Sequence, residues 1–592
     1  MANKQQKLSA LQIDERIVEL TKNLVDQPKD RKTKILFVNE SSILGSGFAT
    51  YGRELIKRLF ATGKYDIAEY GSYVSQQDEK LKDVPWKHYA SMPDIIKQSK
   101  DGKVVYHPEQ IKEYSQKKTN QFGEWKFDHI LLEFKPDVVV DVRDWWMVEF
   151  EERTPLRKNF VWVLLAPVDG HPQQWEWIAT YERTNHVLGY SQFAKNVLEK
   201  QSGGRIKVEG VFSPGADVEV FKPMDKSALK LQYFGNPKLK IIGTVMRNQG
   251  RKLYPSLIQA YKIFKDQYPE DFKGTVLYLH TSIPDVGWDI RESLKRTNMF
   301  RDVVLTYMCQ ECGHVFSSFI MGDKSTNYFG KCQKCGAMKA RCPNTKDFLS
   351  PEKLAEIYNL FDVYVQFSIS EGFGMPIVEA KACGVPVLCT DNTAMSEQAR
   401  NGGAFPIPTI QDGPFSTFTE SLGNSSNGAM REWDLPSRTA LAKMLSNFFK
   451  LPKDKIDTLS KQARECVLNN YTWDQCKEKW EKFLDGIKIK DRKLYWDKPL
   501  EILNPKNIKA ITDIPEGMDN AVFVQYLYKE ILNESVDDKH KGFCDWKNAL
   551  DKGGNREATL KFFVDVANNH NHCEYMRTGE KPKNSNRRIV II

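Results

Sequence analysis

The sequence predicts an α/β chain: two doubly wound parallel domains facing a cleft, a small cysteine-bearing insertion, and an all-α module near the C-terminal end. Three observations carry this prediction. Short apolar, β-branched runs such as KILFVN (34–39), FKPDVVVDV (134–142) and FVWVLLAPV (160–168) alternate with stretches of helical pattern, as parallel strands and their crossover helices do. A glycine- and proline-rich connector, FSPGADVEVFKP (212–223), interrupts the alternation before it restarts at KIIGTVM (240–246) and GTVLYLH (274–280). All eleven cysteines lie after residue 308, and four of them form two Cys-x2-Cys pairs.

Bulk properties narrow the class. A chain of 592 residues holds roughly three to four domains by length. Its 41% hydrophobic and 11% aromatic content is ordinary for a soluble globular enzyme. FVWVLLAPV, nine residues, is among the longest apolar runs, so no transmembrane segment is expected. The polar start, MANKQQKLSALQIDERIVELTKNL, lacks a signal-peptide core, and a cytoplasmic location is expected. Clustered cysteines argue against a disulfide framework. A net charge of +9 is modest for this length and does not by itself point to nucleic acid.

Along the chain, residues 1–33 read as a charged leader helix and linker. The first Rossmann-like domain, on the acceptor side, spans 34–235. Its first strand runs into ESSILGSGFATYGREL, where Gly45 and Gly47 form a loop suited to phosphate or sugar. With only two glycines it is not a dinucleotide fingerprint. The second Rossmann-like domain spans 236–488 and would bind the nucleotide. Residues 305–346 are an insertion, 489–514 a linker, 515–570 a helical module and 571–592 a basic tail.

Two constellations bear chemistry. In SEGFGMPIVEAKACGVPV (370–387), a strand ends in a glycine turn and Pro376 opens a short helix. The N–H groups of Gly374, Met375 and Ile377 are expected to fan out as an anion site. Glu379, one turn in, would repel phosphate and is better used on vicinal hydroxyls, as on a ribose. Glu371 could do the same for a sugar. The bland alternative is a capped βαβ unit with dipole-friendly glutamates. In VMRNQGRKLYP, Arg247 and Lys252 would sit at the carboxyl edge of the sheet and neutralise a diphosphate, or else be two solvated loop cations.

These motifs together resemble the retaining GT-B glycosyltransferases of family 4 over residues 34 to about 488. The resemblance rests on the Glu371-x7-Glu379 element, the Arg247-x4-Lys252 pair, the connector SPGADVEVFKP and the glycine loop ILGSGFATYGREL. It implies a GT-B fold and transfer of a sugar from a nucleotide-sugar donor, UDP- or GDP-linked, with retention and without a catalytic metal. It implies Arg247, Lys252 and Glu371 as catalytic residues. Glu379 would hold the donor ribose, and Phe373, Gly374 and Met375 would contact sugar and phosphate, with Gly45 and Gly47 joining the donor-binding set. Where many relatives carry His-Asp-Trp, this chain reads Arg143-Asp144-Trp145. Arg143 and Asp144, with Asp169 and His171 of PVDGHPQQW, are candidates for sugar or acceptor contact. The acceptor is open between glycan, lipid, protein and modified DNA base. The alternative is a catalytically weak, transferase-like scaffold that binds glycan or nucleic acid.

Cys309-x2-Cys312, nineteen residues, then Cys332-x2-Cys335 is the spacing of two knuckles closing a thiolate site, and predicts a structural zinc ribbon. Residues 301–346 hold seven Lys/Arg against three Asp/Glu, which admits nucleic acid as a partner, although solvated lysines are the commoner explanation of such an excess. Because the insertion lies on a strand-to-helix connection, it is expected to overhang the cleft. The segment 523–569 has helical periodicity with turns near Asp537 and Gly553. It resembles a small helical domain of unknown function found on bacterial surface proteins and some glycosyltransferases, which implies a protein-interaction module.

Overall fold

The computed structural model describes residues 20–98, 104–409, 417–421, 430–434, 436–497, 511–531 and 536–568. Most of the expected leader helix and the whole basic tail lie outside them. The first domain is built on a seven-stranded sheet, wholly parallel, from β1 (Thr33–Glu40), β2 (Tyr65–Ser72), β3 (Lys87–Ala90), β4 (Val138–Asp141), β5 (Val161–Ala166), β6 (His186–Gly189) and β7 (Val208–Val211). Their order across the sheet is β7-β6-β5-β4-β1-β2-β3. These strands read as continuous apolar runs because helices cover both faces; every residue of β5 is buried. Helix α1 (Gly47–Ala61) starts from Ser46, whose hydroxyl accepts the Ala49 amide, and buries Tyr51, Leu55, Ile56 and Leu59 along one stripe. Helix α2 (Trp145–Arg153) follows β4.

The second sheet takes β8 (Lys240–Val245), β9 (Thr275–His280), β10 (Val303–Cys309), β11 (Val315–Ser318), β12 (Ala340–Arg341), β13 (Val363–Gln366), β14 (Val387–Thr390) and β15 (Ala404–Ile407). The order is β11-β10-β9-β8-β13-β14-β15, with β12 also on β10. It is parallel except where β11 and β12 run against β10. The insertion is therefore no detached knob: it extends the sheet edge, pairing Met308 with Val315 and Cys309 with Ala340. Helices α3 (Tyr254–Gln267), α4 (Ile290–Thr297), α5 (Pro351–Leu360) and α6 (Met375–Ala382) connect the strands.

Helix α7 (Trp473–Gly486), expected with the second domain, packs on the first. Its stripe of Trp473, Cys476, Trp480 and Leu484 is buried, Trp480 Nε1 donates to the Tyr51 hydroxyl at 2.8 Å, and Tyr51 donates to the Phe212 carbonyl. An apolar stripe at helical spacing docks wherever a matching surface lies, and that surface is α1. Further on, α8 (Asn520–Ile531), α9 (Lys541–Asp551) and α10 (Arg556–Asn568) enclose a core of their own around Phe523, Leu527, Tyr528, Leu560 and Phe563. No helix among the described residues is long and apolar enough to cross a membrane.

Candidate active site

The switch point of the second sheet lies between β8 and β13, where strand order reverses, and the loops leaving these two strands are laced together. The Ile369 amide donates to the Arg251 carbonyl at 2.8 Å, and the Ser368 hydroxyl reaches the same oxygen. This places Glu371 directly over the turn that carries Lys252. Glu371 is only 6% exposed. Lys252 Nζ and Gln366 Nε2 donate to its Oε1, and Arg251 Nη1 donates to Oε2 at 3.0 Å. Burial works against its charge, but Lys252 and Arg251 overcome this and hold the carboxyl down at about 2. Burial, with Arg251 beside it, brings the Lys252 ammonium down to about 8. Both are charged at neutral pH, a cation and an anion locked at the ligand edge.

Arg251 was not singled out from sequence, since it occupies an unconstrained position of the Arg-x4-Lys motif, yet it connects the domains. Its Nε lies 3.9 Å from Asp169 of the first domain, and Asp144 also acts on its charge. The structure thus gathers Lys252, Glu371, Asp144 and Asp169 around one guanidinium. Arg247 is held apart: it forks onto Asp285, with Nε–Oδ2 3.0 Å and Nη2–Oδ1 3.1 Å, and remains 43% exposed. The His171 ring lies 6.2 Å from that of Phe193.

Arg143 is not at the cleft surface. It is fully buried, donating to Asp141, to Glu151 at 3.0 Å, to the Ser72 hydroxyl and to the Phe122 carbonyl. Acid groups two residues before it and two helical turns after it draw the guanidinium into the domain, so it stands as a core ion pair and not as a sugar contact.

The Glu371 loop continues to Gly374, whose φ of +93° suits glycine, and enters α6. The Ile377 amide, expected to be free, donates to the Gly374 carbonyl at 2.9 Å, because the left-handed residue closes a turn there. A Cβ on Gly372 would come within 3.0 Å of the Pro167 carbonyl, Phe373 packs edge-on to Tyr190, and the Tyr190 hydroxyl approaches the Met375 sulfur. The loop is therefore pressed against the first domain. Glu379 is half-buried on α6 and accepts from the Tyr358 hydroxyl at 2.7 Å; burial pushes its carboxyl up to about 7. The Gly45 amide donates to the Thr345 carbonyl at 2.9 Å, and a side chain at Gly45 would overlap Phe348. Lys80 Nζ reaches the Lys346 carbonyl. The segment returning from the insertion thus bridges the cleft to the glycine loop.

The four cysteine sulfurs, of Cys309, Cys312, Cys332 and Cys335, lie within 4.8 Å of one another, with Cys309–Cys335 at 3.6 Å and Cys312–Cys332 at 3.8 Å. A tetrahedral zinc at Zn–S of about 2.3 Å sets sulfurs about 3.8 Å apart, so the cluster can hold this ion. Amides of Glu311 and Lys334 point at two of the sulfurs, as donors that steady thiolates. His314 stacks on Phe316, and Cys342 is buried and lies outside the four-sulfur cluster.

Two facing parallel sheets, a helix that crosses back to the first, and a cation–carboxylate site at the switch point define the GT-B architecture. Residues 319–409 match the family "Glycosyl transferases group 1". The chain resembles the solved sucrose-phosphate synthase of Thermosynechococcus elongatus (TM-score 0.52, 18% identity, 79% of this chain and 100% of that one). It also resembles HepE of Anabaena in complex with UDP and glucose (TM-score 0.51, 13% identity, 77% and 100%). At these identities the likeness is one of fold. Among curated relatives, O-antigen chain mannosyltransferase B of Escherichia coli is 34% identical over 79 residues, 13% of this chain and 21% of that protein. A D-inositol 3-phosphate glycosyltransferase of Rhodococcus erythropolis is 42% identical over 53 residues, 9% and 12%. The match thus spans a fifth or less of the chain and about a fifth or less of these two relatives.

Proposed function

We propose that the chain is a retaining glycosyltransferase that moves a sugar from a nucleotide-sugar donor to an acceptor, with a structural zinc in the insertion and no catalytic metal. The observation that carries this reading is the buried Lys252–Glu371 pair over the switch point, with a helix N-terminus beside it. Such a site suits a leaving diphosphate: a lysine charge and backbone amides stabilise the negative charge that develops as the glycosidic bond breaks. Arg247 joins when the diphosphate competes with Asp285 for its fork. Glu371 holds hydroxyls of the transferred sugar, and Glu379 those of the ribose. Asp144 and Asp169, facing across from the first domain, stand where an acceptor hydroxyl would arrive. HepE, in complex with UDP and glucose, supports a UDP-linked donor as the first to try.

The test is hydrolysis of UDP- and GDP-linked sugars, followed by nuclear magnetic resonance of the released sugar's first anomer. Wild type is expected to turn over one donor with retention in the presence of EDTA. Lys252→Ala and Arg247→Ala are expected to lose about 2–4 kcal/mol of transition-state stabilisation, a loss of roughly thirty- to a thousandfold in kcat/KM. Unchanged turnover in both variants would remove the donor site from these residues.

A further inference from the structure

A cavity of about 520 Å³ lies between the Trp288 loop of the nucleotide domain and the insertion. Its inner wall includes Asn248, Asp285 and Trp288; its outer wall includes Tyr307, Met321 and Tyr328. The inner wall is tied to the cation turn. The Trp288 amide donates to Asn248 Oδ1 and its carbonyl accepts from Asn248 Nδ2, both at 2.8 Å, while the indole Nε1 donates to the Gly250 carbonyl at 2.8 Å. Trp288 is nevertheless 41% exposed. Its edges are fixed to the turn running from Arg247 to Lys252, and ring surface is left uncovered. Asp285, the partner of Arg247, lines the same cavity.

The outer wall exists only because of the insertion. The Met321 amide donates to the Tyr307 hydroxyl at 2.7 Å, Arg291 of α4 donates to the Gly322 carbonyl, and the Tyr328 amide returns to the Asp323 carbonyl at 2.7 Å. Tyr307 stands two residues before Cys309 and Tyr328 four before Cys332, so both aromatic residues are flanked by the metal-binding knuckles.

We propose that this cavity takes the base of the donor nucleotide, and that the cysteine insertion, by supplying its outer wall, selects the base and links metal loading to nucleotide affinity. This rests on the donor reading given above. The chemistry recognised is a planar heterocycle joined to a diphosphate: rings from both walls offer stacking surface, and phosphates at Arg247 and Lys252 leave the base within reach of Trp288.

Calorimetric titration with UDP, GDP, ADP and inorganic pyrophosphate tests it on the full chain. One nucleotide is expected to bind at least tenfold more tightly than pyrophosphate. Trp288→Leu, and Tyr328→Asn, which keeps a residue tolerant of the left-handed backbone at φ 61°, are each expected to weaken that nucleotide tenfold or more. Stripping the metal by prolonged chelation until none remains by elemental analysis, which EDTA in the activity assay does not achieve against four thiolates, is expected to weaken it similarly while pyrophosphate still binds. Melting curves identify any variant that has failed to fold, and the other then decides. If both folded variants hold the nucleotide within twofold of wild type while Lys252→Ala loses it, the cavity is not the base site and the donor reading stands. If wild type binds none of the three nucleotides, the donor reading falls and this inference falls with it.

Discussion

Lys252 and Glu371 lie 119 positions apart and share one buried hydrogen bond, so neither defines the site alone. Each was legible in sequence because a motif of fixed spacing contained it. Arg251 was not, since nothing local distinguishes a paired arginine from a solvated one; its partners come from distant loops. Arg143 misled for the converse reason: its position matched a family's site residue, but Asp141 and Glu151 satisfy it inside the domain. The lysine gives a pH prediction. Its ammonium titrates near 8, burial having lowered it from the ordinary 10.5, so the charge that attracts phosphate is present below that pH and lost above it. A bound diphosphate favours the protonated form, and affinity should therefore fall as pH rises through about 8, by up to about tenfold per unit. Titration of the nucleoside diphosphate between pH 7 and 9.5 checks this. A Lys252→Arg variant, always charged, should flatten the fall.

At the scale of the element, the strands were readable because short apolar runs end in turn residues, as in KILFVN before the glycine loop that opens α1. The insertion was readable as a metal unit from four cysteines, but its antiparallel pairing onto β10 was not, because the strand–strand register depends on backbone partners that leave no fixed spacing. The turn into α6 is the most constrained element of the site. At Gly374, φ is +93° and a Cβ would lie 2.7 Å from Ile377 Cδ1. Gly374→Ala is expected to cost about 1–3 kcal/mol of stability and to displace the amides beside Glu371. Denaturant melts should register the first effect, and a loss of nucleotide affinity larger than the stability change explains would register the second.

For the whole molecule, two parallel domains and their connector were legible in the sequence, while the crossing of α7 to the first domain was not. A stripe of Trp473, Cys476, Trp480 and Leu484 announces burial but names no partner. That crossing has a consequence for how the chain can be divided. The first domain is discontinuous: its surface at Tyr51 is completed by residues nearly 430 positions later, so a fragment ending at 235 carries an unfilled slot. Such a fragment should be aggregation-prone by itself and gain stability when a peptide of residues 471–497 is added in trans, the gain rising with peptide concentration. Trp480→Ala in the peptide should abolish rescue, and in the intact chain should cost about 3–5 kcal/mol. During synthesis, the half that emerges first must therefore wait for the last turn of the second before its own fold can close.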